Sequence, residues 1–171
     1  MTTVPRWFER KFEFTFPVEQ LPNLCARLRG TPARLEEMFR GSGREVRVRK
    51  AEGKWSAQEH AGHLLDLEWL WAQRVEDFLL GKSELTAADL SNRKTDEANH
   101  NARPVEDILV AFRKERVRLV DRVAGIDSAS VNKAILHPRL KQPMRLVDHL
   151  HFAAEHDDHH LARIWELLHA K

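Results

Sequence analysis

The chain has 171 residues, of which 42% are hydrophobic and 32% charged, a balance that predicts one folded domain over residues 1–171 rather than a disordered protein. Its 28 basic and 26 acidic residues leave a net charge of +2, too small a surplus for the broad basic face that nucleic-acid binding requires. No apolar run is long enough to cross a bilayer, no signal peptide opens the chain, and the single cysteine, Cys25, excludes an internal disulfide, so we expect no membrane partner and a cytoplasmic protein.

The first part of the chain predicts an irregular segment followed by a helical unit. Residues 1–16 carry aromatic side chains that can pack back onto the body of the protein. Leucines at helical spacing follow Pro17, and we expect a break or kink at 30–32, where a threonine N-cap precedes a proline. The Gly-Ser-Gly sequence at 41–43 ends this unit.

Two more helices are predicted in the middle of the chain. Ser56 followed by Glu59 is a capping-box signature, and a helical apolar pattern runs from there to Leu80. Residues 82–103 form a long polar connection of the kind that often serves as a lid or pocket wall. A third helix is predicted from Pro104 to the glycine at position 125.

A fourth helix is predicted over about 144–168, after a second loop at 126–143. No strand-like alternation appears except around 45–48. Four long amphipathic helices with long connections predict an all-α, up-down four-helix bundle.

The fourth helix carries a histidine pair that suggests a metal site. His156 and His160 lie one turn apart on one flank of the apolar stripe, close enough to bind one ion. His149 lies on the same flank two turns earlier, whereas His159 points further towards solvent. The alternative interpretation is a surface pair or a hydrogen-bonded core pair without a metal.

The second helix offers candidates for a third ligand. His63 lies at the edge of the apolar stripe, and His60 lies closer to its centre. Three imidazoles would leave an open position, as a catalytic site needs, although a single histidine here is also compatible with an ordinary core residue. The nearby acids Glu59 and Asp66 could orient an imidazole or polarise a bound water, or lie at the surface.

Other kinds of site are not supported by the sequence. It contains no HExxH zinc-protease motif, no phosphate-binding glycine loop and no nucleophile elbow. Only residues 97–100 have the Glu-x-x-His form of a di-iron bundle, and they fall in a predicted loop. Cys25 lies in the apolar first helix, where we expect an inert thiol.

These motifs together resemble the DinB-like superfamily of four-helix metal proteins, which includes YfiT-type metal-dependent hydrolases. Residues 55–64 read Trp-Ser-x-x-Glu-x-x-x-His-Leu, and residues 149–164 read His-Leu-x-x-x-x-Glu-His-x-x-x-His-Leu-Ala-x-Ile. Phe-x-Phe-Pro at 14–17 and the stretch 28–35 add to the resemblance, which covers about residues 12–168.

The resemblance implies a three-histidine site at His63, His156 and His160 that holds zinc or nickel, and a homodimer. Relatives include S-transferases that use bacillithiol or mycothiol and an isomerase of maleylpyruvate. We therefore expect a metal-dependent enzyme acting on a small-molecule substrate, by hydrolysis or by transfer to a low-molecular-weight thiol. The connections 82–103 and 44–50 would shape its pocket, the basic side chains of the latter receiving an acidic group.

Two further hypotheses remain open at this stage. In the first, the protein is a non-catalytic metal-binding stress protein or sensor, with His149 as a natural fourth ligand that would close the site. In the second, there is no metal, and the chain is a helical dimerisation module.

Overall fold

A computed structural model describes residues 3–169, apart from the side chains of residues 128 and 129. Four long helices dominate it, joined by two short helices, and the elements are α1 (Leu21–Phe39), α2 (Ala57–Leu80), α3 (Arg93–Glu97), α4 (Val105–Ala124), α5 (Ser128–Val131) and α6 (Leu146–His169). Two strands of two residues each, β1 (Ile135–Leu136) and β2 (Pro143–Met144), pair in antiparallel orientation and form a hairpin. Single 3-10 turns occupy Trp7–Glu9, Val18–Gln20, Arg44–Arg47 and His100–Ala102.

The four long helices form the expected four-helix bundle. Helices α1 and α2 each pack against both α4 and α6, so α1 and α2 lie diagonally opposite each other. Helices α4 and α6 form the other diagonal. The connection from α1 to α2 and the connection from α4 to α6 therefore each cross an end of the bundle. Within residues 3–169, no helix is both long and apolar enough to span a membrane.

Helix α2 has the ends that its sequence predicts. The Ser56 hydroxyl accepts a hydrogen bond from the backbone N–H of Glu59, whose carboxylate accepts from the backbone N–H of Ser56. Gly81 ends the helix with φ of +64°, a left-handed conformation that glycine adopts without a steric penalty.

Of the break or kink predicted at 30–32, the break is wrong, because α1 continues through Pro32. A proline inside a helix has no N–H to donate to the carbonyl four residues earlier, which here belongs to Leu28. That carbonyl instead accepts a hydrogen bond of 3.3 Å from Nη1 of Arg116 on α4. A tertiary contact thus compensates for part of the cost of the proline.

Other boundaries also differ from the sequence prediction. Residues 45–48 are not a strand, since a 3-10 turn covers Arg44–Arg47, and the hairpin lies instead in the loop predicted at 126–143. The connection 82–103 contains α3 and a further 3-10 turn. Aromatic side chains of the N-terminal segment pack on the body as expected: the Trp7 ring lies 5.1 Å from that of Phe152 on α6. Residues 1 and 2 lie outside the described part.

A buried polar network crosses the middle of the bundle. It consists of Thr31, Glu68, Arg116 and Asp157, one residue from each long helix, and we call it the mid-bundle network. The Arg116 guanidinium donates to Glu68 at 2.6 Å and also bonds to Asp157, which accepts from the Thr31 hydroxyl at 2.8 Å. Along every long helix, the network residue separates members of one apolar cluster from members of another. The core is therefore two apolar layers with a charged layer between them.

Candidate metal centre

Three histidines from two helices converge beside the mid-bundle network. Helix α2 supplies His63, and α6 supplies His156 and His160 one turn apart; one ring nitrogen from each lies within 4.8 Å of the other two. All three side chains are buried. The Nε2 atoms of His156 and His160 are 3.2 Å apart, and two nitrogens at that distance need a proton or a cation between them.

Hydrogen bonds on the outer side fix the orientation of the His63 ring. The Thr95 hydroxyl on α3 donates its only proton to Asp66 at 3.0 Å, so it accepts from Nδ1 of His63, also at 3.0 Å. That leaves Nε2 of His63 with a free lone pair facing the other two histidines. Asp66 also accepts from Nε2 of His100 at 2.8 Å. Although burial opposes its ionisation, hydrogen bonds from His100 and Thr95 lower the pKa of Asp66 overall.

His160 is oriented by a fourth histidine. Nδ1 of His60 lies 2.8 Å from Nδ1 of His160, so one of the two nitrogens donates and the other accepts. Nε2 of His160 is then directed towards His156. Because His60 and His63 are three residues apart on α2, one helix supplies both a candidate ligand and the residue that positions another.

Burial keeps these imidazoles neutral. It lowers the pKa of His63 to about 4 and that of His60 to about 3, with neighbouring histidines adding to the effect at His60. The pKa values of His156 and His160 are lowered well below the ordinary 6.5, chiefly by burial. At neutral pH the ring nitrogens therefore carry the lone pairs that metal coordination requires.

The donor set fits a zinc or nickel ion. Neutral imidazoles suit both metals. Two nitrogens bound to one tetrahedral zinc at about 2.0–2.1 Å would be about 3.3 Å apart, close to the spacing of His156 and His160. Nδ1 of His156 is buried without a hydrogen-bond partner among residues 3–169. Three protein nitrogens leave at least one coordination position for another group.

The histidine cluster, by which we mean His63, His156 and His160, opens onto a cavity of about 600 Å³. Aromatic rings form much of its wall: Trp7 lies edge-on to His156 at 4.9 Å, and Trp55 lies 4.7 Å from His63. The N-terminal segment, residues 87–90 and residues 137–139 form the rest of the wall together with α2 and α6. A chamber of this size and apolar character is typical of a small-molecule site.

The pocket prediction for the two connections was half right. The connection 82–103 contributes a wall of the cavity, whereas the basic segment 44–50 does not line it. Arg47 instead donates to Gln58 at 3.2 Å, and Arg49 pairs with Glu59. Glu59 is accordingly engaged as a helix cap and ion-pair partner, away from the histidine cluster.

Three other residues considered from the sequence lie outside the cluster. His149 is fully buried between Trp71 and Phe78, with ring centroids 5.7 and 5.9 Å away, and is not among the three converging residues. Cys25 does not line the cavity, and burial raises the pKa of its thiol, which agrees with the expected inert role.

His159 is half-buried and lines the cavity next to Trp7. It is therefore less exposed to solvent than its position on the helical wheel predicts.

Sequence reasoning missed Thr95 and His100, because they lie in a segment without periodicity. One signal pointed towards them: Gly62 is an isolated glycine inside a strong helical pattern, which usually has a packing reason. A Cβ atom at this position would come within 2.3 Å of the His100 ring. The glycine therefore provides the space in which His100 reaches Asp66.

Comparison with known proteins agrees with this architecture. A sequence model of the DinB superfamily matches residues 27–164. The structure is similar to that of YfiT from Bacillus subtilis, which is described as a probable metal-dependent hydrolase with an unusual four-helix bundle topology. The TM-score is 0.78 at 19% sequence identity, over 93% of this chain and 91% of YfiT, which shows a common fold. No curated protein matches the chain.

Proposed function

The chain belongs to the DinB superfamily, and on that basis we propose that it is a metal-dependent enzyme acting on a small molecule, with His63, His156 and His160 as the ligands of a zinc or nickel ion. The observation that carries the proposal is the convergence of three neutral imidazoles at one end of an aromatic cavity. The similarity to YfiT, described as a probable metal-dependent hydrolase, supports the same interpretation.

The residues around the ligands have separate roles in this proposal. Thr95 and Asp66 hold the His63 ring, and His60 holds His160, so the ligand nitrogens face the ion before it arrives. Trp7 and Trp55 restrict water on the cavity side of the cluster. When bound, the ion supplies Lewis acidity that activates a water or thiol nucleophile near neutral pH.

The same ligand set serves hydrolysis and transfer to a low-molecular-weight thiol. We therefore propose one enzyme class with two possible nucleophiles, which a thiol requirement distinguishes. Of the alternatives, a closed structural site receives no support from His149, which lies among apolar rings outside the cluster. A homodimer and a cytoplasmic location stay predictions.

The first experiment measures metal content by mass spectrometry on tag-free protein dialysed against zinc and nickel. We expect about one ion per chain in the wild type and in His149→Leu, and loss of the ion in His63→Ala and His156→Ala with helical circular dichroism retained. Absence of metal from the wild type would refute the metal centre and leave the helical interaction module as the remaining interpretation.

The second experiment tests catalysis on the metal-loaded protein. Aryl esters and alkyl halides are offered with and without a thiol such as cysteine, and turnover is compared with that of His156→Ala. Ester cleavage without thiol would indicate hydrolysis, and thiol-dependent loss of the halide would indicate S-transfer. No turnover above the His156→Ala level with any substrate, despite bound metal, would favour a non-catalytic metal protein.

A further inference from the structure

A second part of the cavity wall concentrates N–H donors. Arg74 of α2, together with His137 and Arg139 from the hairpin loop, lines the cavity there. The Arg74 and His137 side chains are each only 1% exposed. We call these three residues the donor cluster.

The hydrogen bonds of His137 leave no acceptor within the donor cluster. Nδ1 of His137 accepts from the backbone N–H groups of Arg139 and Leu140, each at 3.2 Å. A neutral imidazole carries one proton, which must then lie on Nε2. Nε2 lies 3.2 Å from Nη1 of Arg74, which also carries only protons. Two donors therefore lie side by side, and an acceptor within hydrogen-bond distance of both would satisfy them.

The donor cluster also lacks a direct ion pair among residues 3–169, although Asp77 attracts the Arg74 charge and Nε of Arg74 donates to the Thr86 carbonyl at 2.9 Å. Nη2 of Arg139 is buried without a hydrogen-bond partner, and neither Arg74 nor Arg139 forms an ion pair with a carboxylate of residues 3–169. The neighbouring Asp77 is engaged by Lys82 at 2.6 Å and by the backbone N–H of Thr86. Burial lowers the pKa of Arg74 to about 10, which reflects the cost of holding this charge away from water.

The Trp71 indole contacts residues of both the donor cluster and the histidine cluster. The ring of Trp71 lies 5.6 Å from the His156 ring and 5.6 Å from Cζ of Arg74. Phe152 extends the same apolar wall, since its ring lies 5.2 Å from His137 and 6.3 Å from Trp71. The cavity wall thus includes three histidines with free lone pairs, an apolar surface, and two guanidinium groups, of which that of Arg74 is buried and that of Arg139 half-buried.

We propose that the substrate is a small organic anion whose acidic group binds between Arg74, Arg139 and His137. Its apolar body lies along Trp71 and Phe152, and its reactive group reaches the histidine cluster. A planar carboxylate suits two guanidinium groups because each can donate two parallel hydrogen bonds. The position of the reactive group rests on the proposed function, whereas the anion site stands on the donor cluster alone.

The test measures binding to protein stripped of metal with EDTA, so that an acid cannot gain affinity by coordinating an ion. The probes are phenylacetate, 3-phenylpropionate and 4-phenylbutyrate, each compared with its primary amide. Isothermal titration calorimetry measures the dissociation constant of each probe. The variant is Arg139→Gln, whose position at the cavity edge is half-buried. The matched control is Arg163→Gln, because Arg163 also lines the cavity but pairs with Glu166 at 2.8 Å.

We expect at least one acid to bind the wild type about 10- to 100-fold more tightly than its amide, the range for a charged hydrogen bond. Arg139→Gln should remove this preference without changing the circular dichroism, and Arg163→Gln should keep it. Equal binding of acids and amides to the wild type would overturn the proposal. A preference that survives both Arg139→Gln and Arg74→Gln would overturn it as well.

The same measurements separate this inference from the proposed function. If the metal centre is wrong, no metal binds but the preference for acids persists. If the anion site is wrong, metal content and turnover remain while acids and amides bind alike.

Discussion

Acidification should destabilise the metal-free protein steeply, because several histidines are buried in the neutral form. Burial lowers the pKa to about 3 for His60, His137 and His149 and to about 4 for His63, against 6.5 for an exposed imidazole. Below pH 6.5 the unfolded chain takes up protons that the native state cannot. The full stability is therefore present above pH 6.5 and is lost as the pH falls towards the folded-state pKa values of about 3 to 4.

The size of the effect follows from the number of sites. At pH 5.5 each of these histidines stabilises the unfolded state by about 1.4 kcal/mol, because its unfolded form is then about ten-elevenths protonated. The four together account for at most about 6 kcal/mol, a large part of the roughly 5–15 kcal/mol by which domains are stable. His156 and His160 add to the loss, since their pKa values are also lowered.

The assay is urea unfolding at pH 7.5, 6.5 and 5.5 in EDTA, followed by circular dichroism. The informative variant is His149→Leu, which removes one buried titrating group outside the histidine cluster and should reduce the loss between pH 7.5 and 5.5 by about 1.4 kcal/mol. The control is His169→Gln, at an exposed position, which should leave the loss unchanged. A wild-type stability that does not change from pH 7.5 to 5.5, or an identical loss in His149→Leu, would refute the reasoning.

Three further predictions, two of them with a matched control substitution, test other parts of the structure. Asp66→Asn should weaken zinc binding about 10- to 100-fold in a competition titration, because the hydrogen-bonded support of one ligand is lost; unchanged affinity would contradict that role. Arg116→Met should lower the free energy of unfolding in urea by about 3–5 kcal/mol, because it leaves buried carboxylates unpaired. Arg113→Met, at a more exposed ion pair, should lower it by about 1 kcal/mol or less. Equal losses in the two variants would contradict the special role of the buried arginine. Gly62→Ala should lower the melting temperature, because the new Cβ would lie 2.3 Å from the His100 ring. Gly30→Ala, where a Cβ would have no atom within 4 Å, should raise the melting temperature because alanine favours the helix more than glycine does. A melting temperature that rises in both variants would contradict the close contact at position 62.

Helical periodicity was enough to predict the long helices and to place the α6 histidine pair on one face. The spacing of His156 and His160 is a local property, so a helix places them together whatever the rest of the chain does. The choice of His63 over His60 was not local: only the resemblance to a family favoured it, and in the structure His60 supports His160 from behind.

Features that depend on tertiary contacts were missed. Pro32 looked like a helix break because the sequence does not show that Arg116, far along the chain, reaches the carbonyl of Leu28. Thr95 lies in a connection without periodicity, so its contact with His63 depends on how that connection folds over α2. The donor cluster brings α2 together with a hairpin loop, and no spacing in the sequence signals that meeting.

The mid-bundle network also sets the register of the helices. Apolar layers tolerate sliding by one turn, about 5.4 Å, because one leucine resembles the next. A slide of that size by α2, α4 or α6 would separate Arg116 from a carboxylate and leave a charge unpaired in the core. Asp157 follows His156 directly, and Glu68 lies little more than one turn beyond His63, so the same register fixes the height at which the ligands of the two helices meet. Substitutions in the network should therefore alter the geometry of the histidine cluster without changing any of its members.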